Sequence, residues 1–205
     1  MYTFTISELR AAENREFIIR SVLRDGVVCY PTDTLYGLGG NFFSHAVAER
    51  IDCLKVREDS PYSVAVSGMD MLAPLVAEIP PLFSDVFGRF LPGKFTFLFT
   101  AASTVDPRLL KHRRLIGIRI PDVPPILELI RRTQVPWIST SVNRKGEAPL
   151  NDPDRIVREF PGMDIFINGG TLPASSGSTI VDLTVQPPVV LRRGDDYEKI
   201  RQIFE

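Results

Sequence analysis

The segment Tyr30-Pro31-Thr32-Asp33-Thr34-Leu35-Tyr36-Gly37-Leu38-Gly39-Gly40 places two threonines, one carboxylate and three glycines behind a short apolar run, Val27 to Tyr30. Pro31 lacks an amide donor and cannot extend a central strand, so a loop is expected to begin there. The glycines allow close backbone approach to a ligand, and Thr32, Asp33 and Thr34 offer donors and acceptors at a strand's carboxyl end. An ordinary strand-to-helix turn has the same make-up, and the segment alone leaves both readings open.

Further polar clusters follow. Lys55-Val56-Arg57 sets two cations at the end of an expected helix, where they stabilise the macrodipole or form a phosphate clamp of one point charge and one bidentate fork. Ser139-Thr140-Ser141-Val142-Asn143 brings hydroxyls and a carboxamide out of a buried strand, either as a self-bonded turn or as a lining for a small polar ligand or phosphate oxygens. Gly117-Ile118-Arg119-Ile120-Pro121 carries an arginine inside an apolar run. A buried guanidinium needs a carboxylate, from Asp122, a similar side chain or a ligand. Ser175-Ser176-Gly177-Ser178-Thr179 reads as a flexible loop and Arg192-Arg193 as a surface pair, or together as more hydroxyls and cations at strand ends. Neither His45 nor His112 stands in a relay context, so a serine nucleophile lacks support and a zinc site is not expected.

The elements that must carry these clusters follow from periodicity. Helices are expected over 14–25, from Ser44 to about Lys55, and over 70–78, 81–91, 124–132 and 196–204, with a short one starting at Asp152-Pro153. Strands are expected over 27–30, 63–67, 95–100, 115–120, 136–140, 165–167, 179–183 and 189–191. This alternation points to an α/β fold, a twisted, mainly parallel or mixed open sheet with helices on both faces. The 205 residues fit a single domain, 1–205. With 24 basic and 25 acidic residues the formal net charge is −1, so any anion site must be local. No apolar stretch approaches a membrane span and no targeting segment is recognisable, so a soluble, cytoplasmic protein without membrane partners is expected. Cys29 and Cys53 are read as buried thiols, and Phe42, Phe43, Phe83, Phe87 and Phe90 as core in preference to an interface.

Taken in order, Tyr30 to Gly39, Lys55-x-Arg57, Pro92-Gly93-x-Phe95-Thr96, Gly117 to Pro121, Ser139-Thr140-Ser141-x-Asn143, Ser178 to Thr184 and Leu191-Arg192-x-Gly194 resemble the YrdC-like family, collinearly over about 14–195. That family includes threonylcarbamoyl-AMP synthases. The resemblance implies a cationic cleft that uses ATP, L-threonine and bicarbonate, with Mg²⁺ bridging the phosphates, and serves a transferase complex that modifies tRNA. It implies that Lys55 and Arg57 are catalytic, that these two with Gly117, Ser141, Asn143 and Arg192 bind ATP, and that Thr34, Arg119, Ser141 and Ser178 bind threonine, Arg119 taking its carboxylate. No protein side chain is assigned to a metal. Glu58-Asp59-Ser60-Pro61-Tyr62 is shorter and more acidic than the family's proline-rich loop, and Val142 replaces its usual alanine. Pro92 to Phe97, Leu109 to Gly117 and Asn168-Gly169-Gly170 look closer to the YciO-like branch. A paralogue with weak or different adenylate-forming activity is therefore the alternative, and a non-catalytic module with weak RNA binding a further one.

Overall fold

The computed structural model describes residues 1–56 and 61–204. Its strands are β1 (Tyr2–Thr5), β2 (Val28–Tyr30), β3 (Gly37–Gly39), β4 (Ser63–Ala65), β5 (Phe95–Thr100), β6 (Leu115–Arg119), β7 (Trp137–Ser141), β8 (Ile165–Asn168), β9 (Thr179–Asp182) and β10 (Val189–Arg192). The helices are α1 (Ala12–Leu23), α2 (His45–Lys55), α3 (Met69–Leu72), α4 (Pro81–Phe90), α5 (Pro124–Thr133), α6 (Pro153–Glu159) and α7 (Tyr197–Phe204). The strands form one sheet in the order β1-β8-β2-β3-β7-β4-β6-β5-β9-β10. Four neighbouring pairs are parallel and five antiparallel, a mixed α/β sheet.

Alternation along the strands separates two cores, because successive side chains point to opposite faces. Val28, Tyr30, Ala65, Trp137, Ile165 and Ile167 face one way, beneath Ile18 and Val22 of α1 and Ile126, Leu129 and Ile130 of α5. Cys29, Val64, Phe97, Ile118, Ile138, Phe166 and Val181 face the other way, against Val47 and Ile51 of α2, Phe83 and Val86 of α4, Ile156 of α6 and Ile200 of α7. The helices therefore lie on both faces, as expected.

Local chemistry explains the boundaries. Ser44 caps α2 by accepting the Val47 amide, and Asp152 caps α6 by accepting that of Arg155. The helix expected over 70–78 stops early. Pro74 has no amide to offer the Asp70 carbonyl, and α3 gives way to a 3₁₀ turn, Ala73–Leu75. Cys53 is exposed rather than buried, since α2 turns Val47, Ala48, Ile51 and Lys55 inward and position 53 falls on the opposite side. Phe42, Phe83 and Phe90 are core, whereas Phe43 is exposed and Phe87 only partly buried. Among the described residues no helix is long and apolar enough to cross a membrane.

Candidate functional site

Beyond the part covered by α1 and α5, the face bearing Ala65 and Trp137 is the floor of a cleft of about 950 Å³. The same alternation sets its lining: Leu115, Gly117 and Arg119 from β6, Thr96 and Leu98 from β5, Ser139 and Ser141 from β7, Ser63 from β4 and Ile180 from β9. Gly117 leaves the middle of the floor bare. A Cβ there would lie 3.1 Å from Leu98 and 3.2 Å from Thr96.

At one end of the cleft stands Arg119, 7% exposed. Its Nη2 donates to Asp33 Oδ1 at 2.6 Å, and Nη1 and Nη2 each lie 3.4 Å from Thr34 Oγ1. The buried carboxylate partner is thus Asp33, not Asp122: the Pro31–Thr34 turn brings it within reach. Among the described residues Asp33 Oδ2 and Arg119 Nε find no hydrogen-bond partner, an unusual state for buried polar atoms. Thr32 Oγ1 donates to the Leu35 carbonyl at 2.6 Å and pairs with Thr34 Oγ1 at 3.1 Å, which fixes the turn.

Beside Arg119, Thr96 Oγ1 and Ser178 Oγ pair at 2.8 Å, both buried. Arg192 donates from Nε to the Ser178 carbonyl at 2.9 Å and from Nη2 to Ser178 Oγ at 3.0 Å. Loss of hydration and the charge of Arg119 lower the Arg192 pKa, with Asp195 acting in the opposite direction. The 175–179 loop is tied down rather than loose: Asp195 accepts from Ser175 Oγ and the Ser176 amide, and its own amide donates to Gly177.

Lys55 lies next to the cleft wall at only 3% exposure, with Nζ donating to the Ser141 carbonyl and, at 3.0 Å, to Asn143 Oδ1. Ser141 Oγ donates to the same amide oxygen at 2.6 Å, and Asn143 Nδ2 donates to the Arg144 and Glu147 carbonyls at 3.0 Å. Arg57 and the acidic residues Glu58 and Asp59 lie outside the described residues.

Thr34, Gly117, Arg119, Ser141, Ser178 and Arg192 therefore line one cleft, and Lys55 and Asn143 brace Ser141. Thr96, Arg113 and Arg114 also line it, without any role in the sequence reading. Thr96 was recognisable from the period of β5. The placement of Arg113 and Arg114 depends on a turn that no pattern announces. Chemically, the cleft offers guanidiniums and hydroxyls, a lining for carboxylate and phosphate oxygens. Among the described residues no group of three or more His, Cys, Asp or Glu side chains could hold a metal ion.

The family model for Sua5, YciO and YrdC proteins, described as telomere recombination, matches residues 21–194. The threonylcarbamoyl-AMP synthase of Pyrococcus abyssi is 30% identical over 190 residues, 89% of this chain and 56% of that protein. The chain thus spans little more than half the length of that relative. The crystal structure of P. abyssi Sua5 complexed with L-threonine superposes with a TM-score of 0.87 at 25% identity, over 98% of this chain and 60% of the other. The crystal structure of Escherichia coli YciO gives a TM-score of 0.82 at 26% identity, over 95% of both chains.

Proposed function

The chain belongs to the Sua5/YciO/YrdC family, and on that premise we propose that it is a threonylcarbamoyl-AMP synthase, joining L-threonine, bicarbonate and ATP with release of pyrophosphate. The product would supply a transferase complex that modifies tRNA. One observation carries this reading. Arg119 lines the cleft beside the hydroxyls of Thr34 and Ser178 and close to the cation of Arg192. A guanidinium in such a cleft binds a carboxylate, and the adjacent hydroxyls suit a small polar side chain.

In this reading Arg119, Thr34, Ser141 and Ser178 hold threonine. Arg192, Ser141 and Asn143 face the nucleotide phosphates, with Lys55 carrying its charge beneath the Ser141–Asn143 loop and Arg57 following it, and Gly117 leaves room for the nucleotide. The amine of threonine attacks bicarbonate with loss of water, and an oxygen of the resulting N-carboxylate attacks the α-phosphorus, expelling pyrophosphate. Such a step needs alignment and charge neutralisation, not a protein nucleophile. Mg²⁺ fits as a companion of the triphosphate, since it retains water and phosphate oxygens and needs few protein ligands, and it would offset phosphate charge when bound. The cytoplasm, where tRNA is modified, is the proposed location, and 1–205 the proposed single domain.

The match to YciO over nearly the full length of both chains favours a second reading, an adenylate-forming paralogue with another acceptor. Pyrophosphate release from ATP and Mg²⁺ separates the two. The synthase reading expects release that needs both L-threonine and bicarbonate and falls by at least about 100-fold in Lys55→Ala and Arg57→Ala. ATP binding without threonine-dependent release selects the paralogue.

A further inference from the structure

Two arginines that the reaction above leaves without a task stand at the other end of the cleft. Arg113 and Arg114 immediately precede β6, whose far end carries Arg119, and both line the cavity. The turn that presents them is firmly built. Leu109 and Leu110 are buried, the His112 amide donates to Pro107 at 2.8 Å and that of Arg113 to Leu110 at 3.1 Å. Lys111 Nζ pairs with Asp52 of α2 and lies 5.4 Å from the centroid of the Tyr62 ring. Lys111 and His112 adopt φ of +52° and +57°, two successive residues with a Cβ in the left-handed region. That conformation is unfavourable for each, and it persists here because packing and an ion pair hold the turn on both sides. Its result is a pair of guanidiniums directed to the cleft.

The spacing identifies what they can hold. From Leu115 to Arg119 the strand advances about 13 Å. In a reacting complex with in-line geometry, nine bonds separate the threonine carboxyl carbon from the γ-phosphorus, roughly 12 Å when extended. A carboxylate on Arg119, with the ligand running along β6, puts the terminal phosphates at the Arg113–Arg114 end.

We propose that Arg113 and Arg114 grip the terminal phosphates of the nucleotide and retain them as pyrophosphate departs. This rests on the synthase reading and adds its leaving-group site. A carboxylate oxygen of N-carboxythreonine forms the new bond to the α-phosphorus. The bond from that phosphorus to the α,β-bridging oxygen breaks, and its electron pair leaves on pyrophosphate, whose growing charge two forked guanidiniums neutralise. The recognised chemistry is a phosphate, which a free triphosphate or an RNA backbone could supply.

Calorimetric titration of the full chain with ATP, AMP and inorganic tripolyphosphate, without threonine, tests the assignment. R113A/R114A is expected to weaken ATP and tripolyphosphate by at least about 30-fold and AMP by less than about twofold, while R113K/R114K recovers most of the loss. Both arginines are exposed, and an unchanged melting temperature would show that the variants fold. Equal losses for AMP and ATP, or an unchanged ATP affinity, would overturn the proposal. So would loss of salt-sensitive binding to a short RNA duplex with ATP binding intact, which gives the pair to nucleic-acid phosphates. A wild-type chain that binds ATP and tripolyphosphate through this pair but shows no threonine-dependent release would refute the synthase reading and leave the grip standing. One that binds neither refutes the grip.

Discussion

Arg119 sits within an apolar strand because Asp33 neutralises it, and the pairing is incomplete, with Asp33 Oδ2 and Arg119 Nε unbonded among the described residues. Removing one member of a buried pair leaves the other uncompensated, typically at a cost of 3–5 kcal/mol. Asparagine at 33 keeps an acceptor for Nη2, so Asp33→Asn should lower stability by about 2 kcal/mol, read from the urea midpoint. With the protein's counter-charge gone, the carboxylate of threonine, if bound as proposed, would replace it. Saturating L-threonine should then raise the melting temperature of Asp33→Asn more than that of the wild type, because ligand stabilisation follows affinity for the folded state. An equal or smaller rise would move the threonine carboxylate away from Arg119.

Among the elements, β3 shows most clearly how the site is placed. It pairs antiparallel with both β2 and β7, so it fixes the Pro31–Tyr36 turn against the strand that ends in Ser141. Glycine recurs along it because a Cβ at Gly39 would lie 2.1 Å from the Ile138 carbonyl oxygen and 2.8 Å from the Tyr30 ring. A backbone oxygen in a paired strand cannot yield, so Gly39→Ala should cost about 3 kcal/mol and lower the melting temperature by roughly 6–12 °C. Gly88 of α4 is the matched control. It has open space around it, and Gly88→Ala should stabilise by about 0.5–1 kcal/mol. Similar effects at both positions would mean that crowding is not what demands glycine in β3. This strand also marks the limit of what was legible in the sequence. Val28 to Tyr30 and Phe95 to Thr100 declare themselves by period and branching, but Gly37-Leu38-Gly39 has no β-forming pattern and reads as loop, since the reason for its glycines is the Ile138 carbonyl and the Tyr30 ring on the neighbouring strands. Edge strand β1 is silent in the sequence for a related reason, its mostly exposed side chains carrying no burial signal. At the site, Arg119 was recognisable because an arginine in an apolar strand demands a counter-charge. The identity of that partner, and the burial of Lys55 beneath Ser141, depend on contacts 86 residues apart, which no local pattern encodes.

At the scale of the whole molecule, a chain of formal net charge −1 gathers Arg113, Arg114, Arg119 and Arg192 along one cleft, while the central strands behind it bury Val28, Cys29, Tyr30 and Val64 completely. That dry centre makes stability depend on alkaline pH. Burial pushes the Cys29 thiol well up, and lifts Tyr30 and Tyr36 to about 12. The folded state therefore keeps protons that the unfolded chain releases near the ordinary thiol and phenol values of about 8.5 and 10. Where the unfolded chain binds fewer protons, stability falls as pH rises. For Tyr30 the contribution is fully present below pH about 10 and is lost as pH rises to about 12, roughly 3 kcal/mol over the window. Set against a total of about 5–15 kcal/mol, three such groups predict cooperative unfolding above pH about 10, with no matching slope between about pH 6 and 8. Urea midpoints at pH 8, 10 and 11.5 would measure it. Tyr30→Phe loses the hydrogen bond to the Ile138 carbonyl, about 1 kcal/mol at pH 8, but should fall less steeply than the wild type above pH 10. Parallel curves for the two proteins would place the alkaline transition on groups other than the buried phenol of β2.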